Sequence, residues 1–172
     1  VRQRGWALKY AAEALKGDKE VVLAAVGQDS RALEHAAARL KGDRDFMLAA
    51  VKIKGMALEW GSTTMRTNKT IVLTAAKQSG YSLQFTSKEL QDNKEIVLAA
   101  VNQCGFALEF ASSKLQENNE VCMAAVKQEG EALEYVSSSV NGRKEVELAA
   151  VKQSVHALAF ASNTVRNDMD VM

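Results

Sequence analysis

Few side chains in this sequence have the type and spacing that chemistry requires. Its histidines and cysteines are His35, His156, Cys104 and Cys122. A zinc site or a nucleophile–base pair needs such residues clustered at short, regular spacings, and these four are scattered. The glycines are isolated, so no glycine-rich phosphate-binding loop is present. We therefore expect no catalytic residues, no cofactor and no metal site, and we expect both cysteines to be free thiols.

The composition is that of an ordinary soluble globular protein. It is 47% hydrophobic and 25% charged, and the formal net charge of +1 gives no overall attraction to nucleic acid or to anionic membrane. The longest apolar run, about residues 46–51, is far shorter than the roughly 20 residues of a membrane-spanning helix. Free thiols favour a reducing, intracellular compartment. Proline is absent, which suits a chain of helices and short turns.

The elements that position these side chains recur every 25 residues. A four-residue box of the type LAAV stands at Leu23–Val26, Leu48–Val51, Leu73–Ala76, Leu98–Val101, Met123–Val126 and Leu148–Val151. A second box, Ala-Leu or Ser-Leu, keeps the same interval and ends at Leu8, Leu33, Leu58, Leu83, Leu108, Leu133 and Leu158. A fixed period of this length is typical of an array in which each unit buries its apolar face against its neighbours.

The period divides the chain into six full units with partial units at both ends. The full units are residues 19–43, 44–68, 69–93, 94–118, 119–143 and 144–168. Terminal repeats normally carry polar caps, and neither end of this sequence has one. The sequence therefore predicts one helical repeat array over residues 1–172 that is a fragment of a longer array.

The unit 94–118 shows how each repeat is expected to fold. Asn93 is a good N-cap for a helix with apolar residues at helical spacing, and Gly105 is expected to end it in the left-handed conformation. A second helix of about ten residues is predicted from Phe106 to Leu115. The prediction is an all-α fold, a right-angled or gently curved α-solenoid of tandem helix–turn–helix repeats.

The whole chain resembles the repeat family known as domain of unknown function 4116. The resemblance is carried by the unit pattern K-E-V-V-L-A-A-V-K-Q-x-G-x-A-L-E-F-A-S-x-x-L-x-x-D, which residues 94–118 match nearly throughout. The family is similar in forming long tandem arrays in large proteins of protists, notably algae, and of bacteria that live within amoebae. It has no established activity, so the resemblance implies a scaffold-like role and no catalytic residues.

One position varies widely between otherwise uniform repeats. It directly follows the glycine position and is occupied by Trp6, Arg31, Met56, Tyr81, Phe106, Glu131 and His156. Core positions of an array stay uniform, so we expect these residues to face outward and to contact a partner. The alternative is that they tuck over the turn between the two helices.

Three further features concern packing. The rings at Tyr10, His35, Trp60, Phe85, Phe110, Tyr135 and Phe160 are expected to wedge between repeats in the core rather than to form a stacking platform. The repeated glutamine, at Gln78 and Gln153 among others, is expected to hydrogen-bond a helix end or the adjacent turn. Glu147 stands at an otherwise apolar position; partial exposure is the favoured explanation and a partner cation the alternative.

These observations favour a non-catalytic scaffold that binds protein partners. An accessory subunit of a large multi-subunit complex is one example of such a scaffold. A passive spacer attached to an unseen catalytic or effector domain is a second hypothesis. Nucleic-acid binding is a third, for which the candidate basic ladder is Arg2, Lys52, Lys77, Lys127 and Lys152. Gly27 and Asn102 interrupt that ladder, so we expect no nucleic-acid partner.

Overall fold

The computed structural model describes residues 5–140 and 142–170, with side chains from 7 to 140 and from 142 to 167. The chain divides into two compact units, residues 1–87 and 88–172. Throughout the described segments the regular elements are helices, which confirms the predicted all-α class. None of the described helices is long and apolar enough to cross a membrane.

Within each of the two compact units the same three elements recur: a long α-helix, a 3-10 helix and a short α-helix. The first unit contains Gly5–Tyr10, Glu13–Lys16, Lys19–Gln28, Ser30–His35, Ala38–Lys41, Arg44–Ile53, Gly55–Trp60, Thr63–Arg66, Lys69–Gln78 and Gly80–Phe85. The second contains Lys88–Gln91, Lys94–Gln103, Gly105–Phe110, Ser113–Gln116, Asn119–Gln128, Gly130–Tyr135, Arg143–Gln153, Val155–Ala159 and Asn163–Asp170. In each unit consecutive long helices pack on one another, as do consecutive 3-10 helices, which is the serial packing of an α-solenoid.

Side-chain caps start the long helices as the sequence predicts. The carboxamide of Asn93 accepts a hydrogen bond from the backbone N–H of Ile96 at 3.3 Å. The same arrangement is made by the residues Asp18, Asp43, Asn68 and Asn118. Each cap satisfies one of the amide groups that a helix start leaves without a partner, which fixes the starting residue of the helix.

The predicted second helix is divided in two in every full repeat except 119–143, where no short helix follows Gly130–Tyr135 among the described residues. In place of one helix from Phe106 to Leu115, the chain forms the 3-10 helix Gly105–Phe110, an extended step at Ala111, and the short helix Ser113–Gln116. After the step, the backbone N–H of Ser112 donates to the carbonyl of Gln91 in the preceding repeat at 3.0 Å. A continuous helix would use that N–H internally, so the bond between repeats explains the break.

The repeated glycine has a different role from the one expected. Within the described residues the only positive φ belongs to Gly142, so Gly105 does not end its helix in the left-handed conformation. A Cβ on Gly105 would instead collide with the carbonyl oxygen of Ala125 in the next repeat. A Cβ on Gly55 would lie 2.5 Å from the carbonyl oxygen of Ala75. Glycine is therefore required by the close approach of successive repeats.

The repeated glutamine connects neighbouring repeats as predicted. The side-chain oxygen of Gln153 accepts a hydrogen bond from the backbone N–H of Gly130 at 2.6 Å, and its amide group donates to the carbonyl of Gln128 at 3.3 Å. Gln78 bonds in the same way to Gly55 and, at 3.4 Å, to the carbonyl of Ile53. These bonds satisfy backbone groups at the turn that follows each long helix.

Glu147 is buried and ion-paired, so the favoured expectation of partial exposure is wrong. Its side chain is 1% exposed and lies 2.7 Å from the guanidinium of Arg143, one helical turn earlier. The hydroxyl of Ser162 donates to its second carboxylate oxygen at 2.6 Å. Arg143 stands where the other repeats have a capping Asp or Asn, so two departures from the repeat pattern compensate each other.

Candidate functional site

The variable position is the second residue of each 3-10 helix. Consecutive 3-10 helices pack side by side within each unit, so these residues form a row along its surface. Arg31, Tyr81 and His156 are exposed, and Met56, Phe106 and Glu131 are half-buried. The side chain of Trp6 lies outside the described residues. The row thus presents a different side chain at each repeat while the Ala-Leu box beside it is buried.

In the first unit, the row changes from charged to apolar. The Arg31 guanidinium lies 2.7 Å from the carboxylate of Asp29, and its hydrogen bond holds the pKa of that carboxyl below its usual range. Both residues line a shallow pocket of about 260 Å³. Met56 and Tyr81, whose side chain is 41% exposed, follow on the next two 3-10 helices. An exposed aromatic beside a methionine is typical of the centres of protein interfaces.

In the second unit, the row changes from apolar to polar. The carboxylate of Glu131 accepts a hydrogen bond from the hydroxyl of Ser154 at 2.8 Å, and this bond lowers the pKa of Glu131. Phe106 is half-buried, and its backbone N–H donates to the carboxylate of Glu129 at 3.0 Å. His156 is exposed. Glu131 therefore offers a negative charge at a fixed place on the surface.

The repeated rings lie at the edge of the core rather than inside it. Tyr10 is 75% exposed, which contradicts the expected wedge at that position. The other six rings, at His35, Trp60, Phe85, Phe110, Tyr135 and Phe160, are half-buried. The core is filled mainly by the Ala-Leu boxes, of which Ala7 and Leu158 are half-buried, and by three or four positions of each long helix.

Both thiols are buried. Burial raises the pKa of Cys122 from its ordinary value of 9.0 to about 11, so this thiol stays protonated at neutral pH. Cys104 lies 3.4 Å from the carboxylate of Glu129. Neither of the two residues is in a disulfide. Within the described part of the chain, no three His, Cys, Asp or Glu side chains group in a way that could hold a metal ion.

A second surface lies on the long helices, where the sequence indicated a candidate basic ladder but placed the neighbouring leucines in the buried face. Ile96, Val97, Ala100 and Val101 are fully buried, whereas Leu98 and Ala99 of the same helix are only half-buried. The position of Leu98 is occupied in the other long helices by Leu23, Leu48, Leu73, Met123 and Leu148, all half-buried. The signal in the sequence was geometric, because four buried positions on one side of a helix place the first two box residues on the other side.

A groove in the second unit runs along this surface between the helices Lys94–Gln103 and Asn119–Gln128. It has a volume of about 380 Å³ and is lined by Asn102, Glu120, Met123, Ala124, Lys127 and Gln128. Its lining therefore combines an apolar floor with carboxamide, acidic and basic groups. Such a mixture can bind a polypeptide through both its backbone and its side chains.

This repeat geometry defines the class of protein: an α-helical tandem repeat with uniform core positions and variable surface positions. The sequence profile of the family described as domain of unknown function (DUF4116) matches residues 1–41, 43–91 and 93–140. The chain belongs to this family. No curated protein and no solved structure matched it.

Proposed function

We propose that this chain is a non-catalytic scaffold that binds a protein partner through the variable row of its 3-10 helices. The observation that carries the proposal is the contrast between neighbouring positions. The Ala-Leu boxes are nearly uniform and buried, except for the half-buried Ala7 and Leu158, whereas the adjacent position ranges from Arg31 to Tyr81 to Glu131 and is exposed in part or in full. Variation confined to a surface row is how repeat proteins carry binding specificity on a constant core.

A non-catalytic role is supported by the state of the nucleophiles. The thiols are the strongest nucleophiles in the chain, and both Cys104 and Cys122 are buried. Cys122 is kept protonated by its raised pKa of about 11. Membership of a multi-subunit complex, as an accessory subunit, is the form of scaffold that we favour for an array of this kind.

The test is affinity capture of interacting proteins from the native extract by the wild-type chain and by matched variants. Tyr81→Ser should lower the yield of a stoichiometric partner several-fold, because exposed aromatics of interfaces commonly contribute more than 1 kcal/mol each. Tyr10→Ser is the control, since Tyr10 is also an exposed tyrosine but lies outside the variable row. Circular dichroism checks that both variants fold.

Equal loss of the partner in both tyrosine variants would refute the assignment of the variable row. A well-folded wild-type chain that captures no stoichiometric protein would refute the scaffold and favour the passive spacer.

A further inference from the structure

In each of the two compact units, the long helices carry a second repeated surface. On four of them, the half-buried Leu or Met is followed one turn later by an exposed lysine. We call these residues the lysine face: Leu48 and Lys52, Leu73 and Lys77, Met123 and Lys127, Leu148 and Lys152. Residues four apart on a helix lie on the same side, so each lysine borders the apolar residue that precedes it.

The lysines of this face have no counterion within the described residues. None of Lys52, Lys77, Lys127 and Lys152 lies within ion-pair distance of an acidic side chain there. Lysines at the opposite ends of the long helices are paired, since Lys19 lies 2.6 Å from Asp43 and Lys94 lies 2.6 Å from Glu120. The helix dipole favours a cation near a C-terminus but supplies no counterion.

The groove beside Lys127 also holds carboxamides without a hydrogen-bond partner. The side chains of Asn102 and Gln128 line it, and in the described structure neither makes a hydrogen bond. The corresponding Gln153 uses its amide to bond the preceding repeat. In the repeat that contains Gln128, Glu129 instead makes the bond to the preceding repeat, because its carboxylate accepts from the backbone N–H of Phe106. A free carboxamide can both donate to and accept from the backbone of a bound peptide.

The spacing of the helices indicates the conformation of such a peptide. Packed helices lie about 8–10 Å apart. A polyproline II helix rises about 9 Å per three-residue turn, so every third side chain faces the same way at nearly the interval of the repeats. We infer that within each compact unit the lysine face, with Lys52 and Lys77 in the first unit and Lys127 and Lys152 in the second, binds an extended acidic peptide in the polyproline II conformation, with one carboxylate at every third position. Its apolar side chains pack on the Leu and Met residues.

A peptide suits this surface better than a nucleic acid. The floor of the groove is Met123 and Ala124, and no aromatic ring on which a base could stack lines it. The inference rests on the proposed scaffold function and adds a surface and a partner chemistry to it.

The probe is a fluorescein-labelled peptide, Asp-Leu-Pro repeated four times, and the readout is fluorescence anisotropy. Two peptides test the chemistry: Asn-Leu-Pro repeated four times lacks the charge, and Asp-Asp-Leu-Leu-Pro-Pro repeated twice keeps the composition but not the period. We expect each of these two peptides to bind at least about fivefold more weakly than the first, because each surface ion pair contributes about two- to threefold to the affinity. Binding should weaken with added salt.

Two variants of equal charge test the surface. The first replaces Lys52, Lys77, Lys127 and Lys152 by Gln. The second replaces Lys9, Lys41, Lys88 and Lys114, which lie outside the long helices, by Gln. The first should bind the peptide at least about fivefold more weakly than the wild type, and the second within about twofold, with unchanged circular dichroism for both.

Equal weakening of peptide binding in both variants would mean attraction by net charge alone and would overturn the inference. Equal binding of the period-altered peptide and of the Asp-Leu-Pro peptide would overturn it as well. Tighter binding of a twelve-nucleotide single-stranded RNA than of the peptide would assign the lysines to nucleic acid and overturn it too. If the peptide does not bind, the inference fails, while capture of a partner that depends on Tyr81 would leave the proposed scaffold function standing.

Discussion

The buried ion pair of Arg143 and Glu147 gives the sharpest test of how this repeat is held together. Replacing Arg143 by Asn, the residue that the preceding repeat carries as Asn118, leaves the carboxylate of Glu147 buried without its cation. Removing one partner of a buried pair costs about 3–5 kcal/mol in other proteins. The hydroxyl of Ser162 still donates to the carboxylate, so we expect about 3 kcal/mol, the lower end of that range.

Restoring the repeat pattern at both positions should reverse the loss. The double variant Arg143→Asn, Glu147→Val carries the residue types of Asn118 and Val97. Apolar packing in place of a buried ion pair is often neutral or stabilising, so the double variant should recover most of the lost stability. It still lacks the hydrogen bonds from the Arg143 guanidinium to the carbonyls of Val136 and Ser137. The coupling free energy of the mutant cycle should be about 2 kcal/mol or more.

Urea unfolding followed by circular dichroism measures the free energies of the four chains. Lys152→Asn, on the same helix but exposed, is the control and should change stability by less than about 0.5 kcal/mol. A coupling energy near zero would show that Arg143 and Glu147 act independently, and the compensation argument would then be wrong.

Two further predictions concern the contacts between repeats and the buried thiol. Gly105→Ala should lower the free energy of unfolding by about 1–3 kcal/mol, because its Cβ would meet the carbonyl oxygen of Ala125. The matched control is Gly27→Ala, inside a long helix, where the nearest atom to an added Cβ is 3.8 Å away. This variant should raise the free energy of unfolding by up to about 1 kcal/mol. Equal effects of the two substitutions in urea unfolding would contradict the close-approach explanation. Because the pKa of Cys122 is raised, the folded chain keeps a proton that the unfolded chain loses. The resulting contribution to the free energy of unfolding is complete below pH 9 and is lost as pH rises towards about 11. The wild type should therefore lose about 2 kcal/mol more over that range than Cys122→Val, and parallel pH curves for the two chains would contradict it.

Much of the fold was accessible from sequence because it depends on local or strictly repeated features. Asn93 and Asn118 cap helices by bonding amides three residues away, so the starts of the long helices are correctly predicted. The buried face follows from helical periodicity. The bonds of Gln78 and Gln153 to the preceding repeat were also predicted, since a glutamine at a fixed interval beside a helix end needs a repeated partner.

The features that sequence reasoning misplaced depend on contacts between repeats. The second helix is broken because Ser112 donates its N–H to the preceding repeat. Gly105 is needed because Ala125 of the next repeat approaches it, a distance that no local pattern encodes.

The candidate surfaces divide in the same way. The variable row was identified from sequence because its members differ while their neighbours do not. The lysines of the lysine face were identified from sequence as a candidate basic ladder, but their apolar neighbours were not. Half-buried leucines have the same residue type as a core, and only the packed helices show which side of each leucine is covered.

The sequence by itself determined the repeat period, the helical class and the caps, since each follows from the type and spacing of residues along one chain. The tertiary structure decided which apolar residues stay exposed, which glycines are indispensable and how Glu147 is neutralised. Those outcomes depend on contacts between successive repeats or on burial within the packed array, and packing sets both.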